Sequence, residues 1–198
     1  MYEYEIDAIV AYQFRIHQGI EAFPSIVASG PNGCILHYTH NNRQINQGDL
    51  VLLDFGIEID GYGADISRTF SISWEFDSRQ QCLYNAVLDV KWFAESILKP
   101  WISRKNWNSQ VKEYMWETCR KLDLPNIEKY TPLENPYFPH SIGHFLWLDT
   151  HDVGDVDTVF QSGMVVTIEP GIYIVEEGIG IRIEDDYLIT ESGCSMFS

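Results

Sequence analysis

The sequence predicts an α+β fold in which helices cover one face of an antiparallel sheet. Two hairpin-like runs, over residues 49–73 and 164–190, contain short apolar strands separated by turn residues. Helical periodicity instead marks the N-terminus and the stretch between the two runs. In addition, a motif of glycine, an acidic residue, glycine and two isoleucines begins at Gly48 and occurs a second time at Gly163, 115 residues later. This duplication predicts two related halves that meet at a shared site.

Three helices are expected. Apolar residues at helical spacing predict the first over residues 3–18. Asp77, with Gln80 three positions later, has the spacing of a capping box and predicts a second, long helix. Ser109 is expected to cap a third helix that runs to about Leu124, where a proline follows.

The first duplicated segment predicts strands over 49–60 and 64–73, joined by a hairpin turn at Asp60-Gly61. In that register Asp54 lies opposite Ser67. Residues two apart on a strand share a face, so Asp65 is expected diagonally across from Asp54 on the same face.

The second segment predicts strands over 164–174 and 179–190, with a turn at Glu176-Glu177-Gly178. A loop at Glu176-Glu177 places Glu169 directly opposite Glu184, with Arg182 on the same face. Each hairpin therefore directs two carboxylates to one side of the predicted sheet.

Four converging carboxylates repel one another strongly unless cations lie between them. Two divalent ions would balance four negative charges, and such two-metal sites serve hydrolysis. With one imidazole added, the oxygen-rich ligand set favours manganese first, then cobalt, iron or zinc. The alternative interpretation is that these acids are separate surface charges.

Histidines supply the candidate imidazole. His140, His144 and His151 fall within one glycine-containing segment just before the second acid-bearing strand. A lone histidine is more often a structural group, and a His-x-x-x-His spacing alone is only moderately specific. Their grouping favours the wall of an active site.

The bulk composition excludes several classes of partner. A formal net charge of −16 argues against nucleic-acid and anionic-membrane partners. No apolar run approaches the roughly 20 residues of a transmembrane helix. The four cysteines are scattered, without a Cys-x-x-Cys pair, which favours reduced thiols and a cytoplasmic location.

Taken together, the motifs resemble those of the pita-bread metallopeptidases (family M24), most closely the Xaa-Pro aminopeptidase (aminopeptidase P) and prolidase branch. The segments that carry the resemblance span nearly the whole chain: residues 28–38, 53–56, 61–70, 140–154, 167–171 and 180–186. The resemblance implies the pita-bread (creatinase/aminopeptidase) fold, a curved antiparallel sheet covered by helices, with two pseudo-symmetric halves.

The resemblance also implies site residues. Two metal ions are expected to bind five ligands: Asp54, Asp65, His144, Glu169 and Glu184. Three further histidines are expected to line the substrate pocket: His37, His140 and His151. The implied activity is release of the N-terminal residue from peptides with proline in the second position, by a water or hydroxide held between the two ions.

A mechanistic hypothesis gives each residue a role. Asp54 and Glu184 would bridge the ions, Asp65 would complete one, and His144 with Glu169 the other. Glu169 would also act as general base, His151 would hydrogen-bond the substrate carbonyl, and Arg182 would orient Asp54 or Glu184. For Arg182 the alternative is a simple ion pair with Glu184.

Other functions remain open. Methionine aminopeptidases have five such ligands but lack the run seen at 182–186, and creatinase-like relatives lose the metal ligands. Prolidase is the closest alternative, and a non-catalytic binding protein with this fold is a further one. Phosphate binding is weakly supported, because the Gly-x-Gly pairs lie in hairpins and not at helix N-termini.

Two departures from the family pattern lead to further expectations. Residues 1–198 are expected to form the catalytic domain, without the usual N-terminal domain and the first catalytic-domain helix. Apolar surface left uncovered on the sheet or on helix 3–18 would then favour a homodimer. Trp147 stands where relatives commonly have glycine and is expected to narrow or reshape the substrate pocket.

Overall fold

A computed structural model describes residues 1–198 as three α-helices and eleven short β-strands. The helices are α1 (Glu3–Ile16), α2 (Ser78–Ile97) and α3 (Arg104–Lys121). The strands of the first half are β1 (Ile20–Glu21), β2 (Ile26–Ser29), β3 (Leu50–Phe55), β4 (Ile57–Ile59), β5 (Tyr62–Gly63) and β6 (Ile66–Ser71). Those of the second half are β7 (Val165–Ile168), β8 (Gly171–Ile174), β9 (Ile179–Arg182), β10 (Asp185–Ile189) and β11 (Cys194–Met196).

Every strand pair is antiparallel, which confirms the predicted fold class. The first half forms two sheets with strand orders β2-β3-β6 and β1-β4-β5, and the second half forms β11-β10-β7 and β8-β9. Each half is therefore one long hairpin interrupted near its middle. The short strands β1, β2 and β11 were not predicted, because they are too short to show periodicity.

The first hairpin has the predicted register. Asp54 lies opposite Ser67, and the two-residue loop Asp60-Gly61 joins β4 to β5. Both loop residues have positive φ, 53° and 83°, as a tight hairpin turn requires.

In the second hairpin the register is also as predicted, although the loop is longer. Gly171 pairs with Arg182, and Ile168 pairs with Asp185. Glu169 therefore lies opposite Glu184 between these two pairs. The connection contains the four residues 175–178 and not two, but the extra residues are added symmetrically and leave the pairing unchanged.

Each hairpin is interrupted close to its repeated acid, Asp54 or Glu169, and the neighbouring residues explain why. At Gly56 the backbones approach so closely that a Cβ would lie 1.9 Å from the carbonyl oxygen of Ala64. In the second half, Pro170 follows Glu169 and has no N–H to donate to a ladder. The continuous strands predicted over 49–60 and 164–174 are therefore each split in two.

One helix boundary was predicted wrongly. Helix α3 starts at Arg104 and is capped by Ser103, whose Oγ accepts a hydrogen bond from the amide of Asn106 at 3.2 Å. Ser109 lies inside the helix. The amides of Arg104 and Lys105 donate to carbonyls in the segment 156–158, and this tertiary contact, invisible in the sequence, fixes the helix start.

Two hydrophobic clusters support the sheets. The larger, of 25 residues, lies between helices α2 and α3 and the strands of the second half, and includes Leu83, Trp107, Met115, Ile168 and Ile181. The smaller comprises Ile26, Ala28, Tyr38, Leu52 and Tyr173 and joins the two halves. None of the three α-helices combines the length and apolarity needed to cross a membrane. All four cysteines are unpaired.

Candidate metal centre and active site

All nine residues singled out from the sequence line one cavity of about 390 Å³ between the two halves: His37, Asp54, Asp65, His140, His144, His151, Glu169, Arg182 and Glu184. The two hairpins are far apart in the chain, so these side chains come together only because the hairpins pack against each other in the fold. The sheet geometry inferred from the sequence thus places the acids correctly.

Asp54 on β3 is held by Arg182 from the end of β9. The Arg182 Nη2 donates to Asp54 Oδ2 at 2.8 Å, and both side chains are almost completely buried. The other carboxylate oxygen, Oδ1, is buried without any hydrogen-bond partner. Arg182 therefore pairs with Asp54 and not with Glu184.

Glu184 and Ser67 meet where the two halves touch. Each lies opposite the repeated acid of its own hairpin, so the two are equivalent in the duplication. The Ser67 hydroxyl donates to Glu184 Oε2 at 2.7 Å and accepts from Arg182 Nε at 2.9 Å. Glu184 Oε1 is buried without a partner, like Asp54 Oδ1.

His144 completes the cluster. Its Nδ1 lies 3.0 Å from the carbonyl of Phe145, which assigns the proton to Nδ1 and leaves the Nε2 lone pair facing the acids. Nε2 is 3.4 Å from Asp65 Oδ2 and 3.8 Å from Glu169 Oε1. One donor atom each from Asp65, His144 and Glu184 fall within 4.8 Å of one another.

The electrostatics of the cluster are those of crowded, desolvated acids. Burial raises the pKa of Glu169 to about 7, and the carboxylates of Asp65 and Asp54 add to the rise. Burial likewise raises the pKa of Asp65 to about 6, although His144 opposes this. The pKa of Glu184 is raised well above its ordinary value by burial and by the neighbouring carboxylates. Arg182 is the one arginine that forms a salt bridge with these acids, and it does not offset their mutual repulsion.

A neutral histidine forms one wall. His140 Nε2 lies 2.8 Å from the Tyr173 hydroxyl, and its Nδ1 lies 2.8 Å from the carbonyl of Ser141. Arg182 Nη1 donates to the same tyrosine oxygen at 3.0 Å, so the Tyr173 proton points to His140. Burial lowers the pKa of His140 to about 3 and keeps the ring uncharged.

His37 and His151 form the opposite, more open wall. The His151 ring stands edge-on to His144, with ring centroids 4.5 Å apart. Both histidines also line an adjoining cavity of about 500 Å³, whose apolar wall is formed by Ala22, Phe23, Pro24 and Ile26. The reaction centre therefore has room on two sides.

Trp147 lies outside both of these cavities. It packs edge-on against Tyr62, with ring centroids 4.9 Å apart, and its carbonyl accepts from the amide of Gly63 at 2.9 Å. The expectation that Trp147 narrows the substrate pocket is therefore wrong, because the side chain turns toward the β5 strand.

The residues present fit a pair of divalent cations. Two of the clustered acids, Asp54 and Glu184, each have a buried carboxylate oxygen without a partner, and unsatisfied buried charges are costly. Four carboxylates and one imidazole line one cavity, and Arg182 is the only arginine that forms a salt bridge with one of them. Hard divalent ions bind such oxygen-rich sets, and their charge would offset the remaining repulsion.

Three cavity or contact residues were not identified from the sequence: Ser67, Tyr173 and Arg104. Ser67 could have been found, because the hairpin register placed it opposite Asp54. Tyr173 lies in the repeated motif but outside its shared positions. Arg104 gave no signal, because the start of its helix was predicted six residues too late.

The comparison with known families agrees with this geometry. The sequence profile of metallopeptidase family M24 matches residues 1–191. The chain belongs to metallopeptidase family M24. The resemblance inferred from the motifs is thereby confirmed.

Similar M24 proteins include the Xaa-Pro aminopeptidases of Haemophilus influenzae and Escherichia coli. Identity is 40% over 97% of this chain for the first and 37% over 98% for the second. The aligned region is 49% and 48% of those two proteins. The chain thus spans about half the length of the relatives it matches.

Solved M24 structures share the fold. A zinc-substituted E. coli aminopeptidase P in complex with product has a TM-score of 0.91 and 36% identity, covering 99% of this chain and 48% of that one. Proline aminopeptidase P II from Yersinia pestis gives a TM-score of 0.90 at 36% identity, covering 99% and 49%. These matches confirm the pita-bread fold.

Proposed function

We propose that this protein is a metal-dependent peptidase that releases the N-terminal residue from peptides with proline in second position. The observation that carries the proposal is the buried convergence of four carboxylates and one imidazole from both halves on a histidine-lined cavity. The similar proteins from H. influenzae and E. coli are Xaa-Pro aminopeptidases, which indicates the substrate class.

Residues 1–198 act as the catalytic domain, and the metal ligands are Asp54, Asp65, His144, Glu169 and Glu184. The unpartnered oxygens of Asp54 and Glu184 suit these two residues to bridging positions. When bound, two divalent ions would polarise the scissile carbonyl and lower the pKa of water at the site. Manganese is the first choice for this oxygen-rich set, with cobalt, iron and zinc as the others.

The remaining residues orient the substrate and move protons. Glu169 would act as general base and accept the proton of the attacking water. His151, exposed beside His144, donates a hydrogen bond to the substrate carbonyl oxygen as negative charge develops there. Arg182 holds Asp54 in place through a salt bridge. It also donates a hydrogen bond to the Tyr173 hydroxyl, which in turn holds His140.

The test is hydrolysis of an Xaa-Pro tripeptide by purified protein in the presence of manganese. Wild type should release the first residue, whereas Asp65→Ala and Glu169→Ala should each lose at least about 100-fold in kcat, as loss of a ligand to a catalytic ion does. Asp155→Asn, an exposed acid in the loop after His151, is the matched control and should retain full activity. Full activity in both ligand variants would refute the assignment.

Two alternatives are separated by simple measurements. A prolidase would cleave an Xaa-Pro dipeptide in preference to the tripeptide; the two adjoining cavities, about 390 and 500 Å³, favour the longer substrate. A non-catalytic binding protein would cleave neither. Elemental analysis that finds two ions per chain supports the enzyme, and none supports the binding protein.

The proposal extends to location and assembly. Four unpaired thiols and the absence of a disulfide favour a cytoplasmic protein.

Helix α1 exposes a row of apolar side chains, Tyr4, Ile9, Tyr12 and Ile16, each at least half exposed. We propose that two copies pair through this row. Analytical ultracentrifugation should show that wild type is a dimer and that Ile9→Asp is a monomer. A monomeric wild type would exclude the proposed dimer.

A further inference from the structure

One cation in the site cavity has no role in the proposed chemistry. Arg104, the first residue of α3, lines the same cavity as the metal-ligand candidates. The only other lysine or arginine there is Arg182, and its guanidinium is fully engaged by Asp54, Tyr173 and Ser67. Arg104 is therefore the one cationic group of the cavity still able to bind a ligand.

The protein fixes the position of this guanidinium but leaves most of its donors unused. Arg104 Nη2 donates to the carbonyl of Gly143 at 3.1 Å, and the group lies over the Phe145 ring, 5.8 Å from its centroid. No carboxylate lies within salt-bridge distance. The Nε and Nη1 donors have no partner in the protein, and the side chain is half-buried.

Asp152, which lines the same cavity, makes no salt bridge with Arg104. Both carboxylate oxygens of Asp152 accept backbone hydrogen bonds, from the amides of Leu148 at 3.1 Å and Val153 at 2.7 Å. An unpaired guanidinium held in place by stacking, in a chain of net charge −16, is a prepared site for one carboxylate.

The location indicates which part of a peptide reaches Arg104. The adjoining cavity, whose apolar wall includes Phe23 and Pro24, lies beside Asp54 and Asp65. Arg104 instead lies with Ser141 and Phe145, which do not line the adjoining cavity. A peptide whose first residue occupies the adjoining cavity would extend past Ser141 and Phe145 toward Arg104.

We propose that Arg104 binds a carboxylate of the peptide on the C-terminal side of the proline, foremost the terminal carboxylate of a short peptide. This inference rests on the proposed peptidase function. It makes Arg104 a specificity-determining residue that favours short peptides with a free C-terminus over blocked ones.

The experiment compares Ala-Pro-Ala with its C-terminal amide, using metal-loaded wild type, Arg104→Met and the control Arg79→Met, which changes an ion-paired arginine outside the cavity. Wild type and Arg79→Met should prefer the free acid by about tenfold in kcat/KM, mainly through KM, as expected for one charge-assisted hydrogen-bond pair. Arg104→Met should cleave the amide at the wild-type rate and lose the preference. A third peptide, Ala-Pro-Glu-amide, reports whether an acidic side chain can take the place of the terminal carboxylate.

The outcomes separate the two proposals. Equal rates for acid, amide and glutamate peptide in wild type, or an equal loss for all peptides in Arg104→Met, would overturn the role of Arg104 and leave the peptidase intact. If wild type cleaves nothing, the peptidase proposal fails. The carboxylate site is then tested by calorimetry with Pro-Ala and Pro-Ala-amide. Wild type should bind the free acid about tenfold more tightly than the amide, and Arg104→Met should abolish this difference. Equal binding of the two peptides to wild type would overturn the carboxylate site.

Discussion

Replacing Glu169 by glutamine should stabilise the metal-free protein while weakening its response to metal. In the folded state burial and neighbouring carboxylates raise the pKa of Glu169 from its ordinary value of 4.5 to about 7. A raised pKa means that the folded protein holds the proton more tightly than the unfolded chain does. The stabilising contribution is thus complete below about pH 4.5 and is lost as the pH rises to about 7.

The size of the effect follows from the same pKa. At about 1.4 kcal/mol per pH unit, the charged form at pH 8 costs the metal-free fold about 3 kcal/mol. Glutamine mimics the neutral acid and avoids this cost, so Glu169→Gln should gain about 2 to 3 kcal/mol at pH 8 and almost nothing at pH 4.5.

The assay is urea unfolding with excess chelator and then with saturating manganese. Wild type should gain about 2.7 kcal/mol at a metal concentration of about 100 times Kd, and Glu169→Gln clearly less, because a charged ligand is lost. The exposed control Asp155→Asn should match wild type within about 0.5 kcal/mol in both states. If Glu169→Gln is no more stable than wild type without metal at pH 8, repulsion among the acids is not what the metal relieves.

Three further substitutions probe the framework. Glu3→Gln should cost about 3 kcal/mol in urea unfolding, because this buried carboxylate accepts five hydrogen bonds and an amide must leave at least one donor unpaired; the exposed Glu113→Gln should be neutral. Lys91→Met should cost about 3 kcal/mol by removing one of the two cations that hold buried Asp185, 2.7 Å away; an effect below 0.5 kcal/mol would contradict this. Gly143→Ala should lower metal affinity measured by chelator competition, because its Cβ would lie 2.0 Å from a backbone carbonyl beside His144.

The Glu3 network also predicts an acid limit for the fold. Burial acts to raise the pKa of Glu3, but hydrogen bonds from Ser29, Arg43 and Tyr38 together hold it below its ordinary value. The stabilisation by these bonds is present above the unfolded pKa and is lost as the pH falls through the folded one. This network holds both ends of the segment that carries His37.

The framework of the site could be predicted from the amino-acid sequence alone. The duplicated motif fixed Asp54 and Glu169 as equivalent strand residues, and strand periodicity then placed Asp65 and Glu184 on the same face. These inferences succeeded because hairpin register is a local property, set by turn residues such as Asp60-Gly61. Even an error in the second loop length left the pairing intact.

Only the tertiary structure decided how the two halves meet. The Ser67–Glu184 contact, the choice of Asp54 as the partner of Arg182, and the position of Arg104 all depend on side chains distant in the chain. The start of α3 likewise depends on carbonyls more than fifty residues away. Local propensity cannot encode such contacts, because their free energy comes from burial and charge pairing that exist only after the chain has packed.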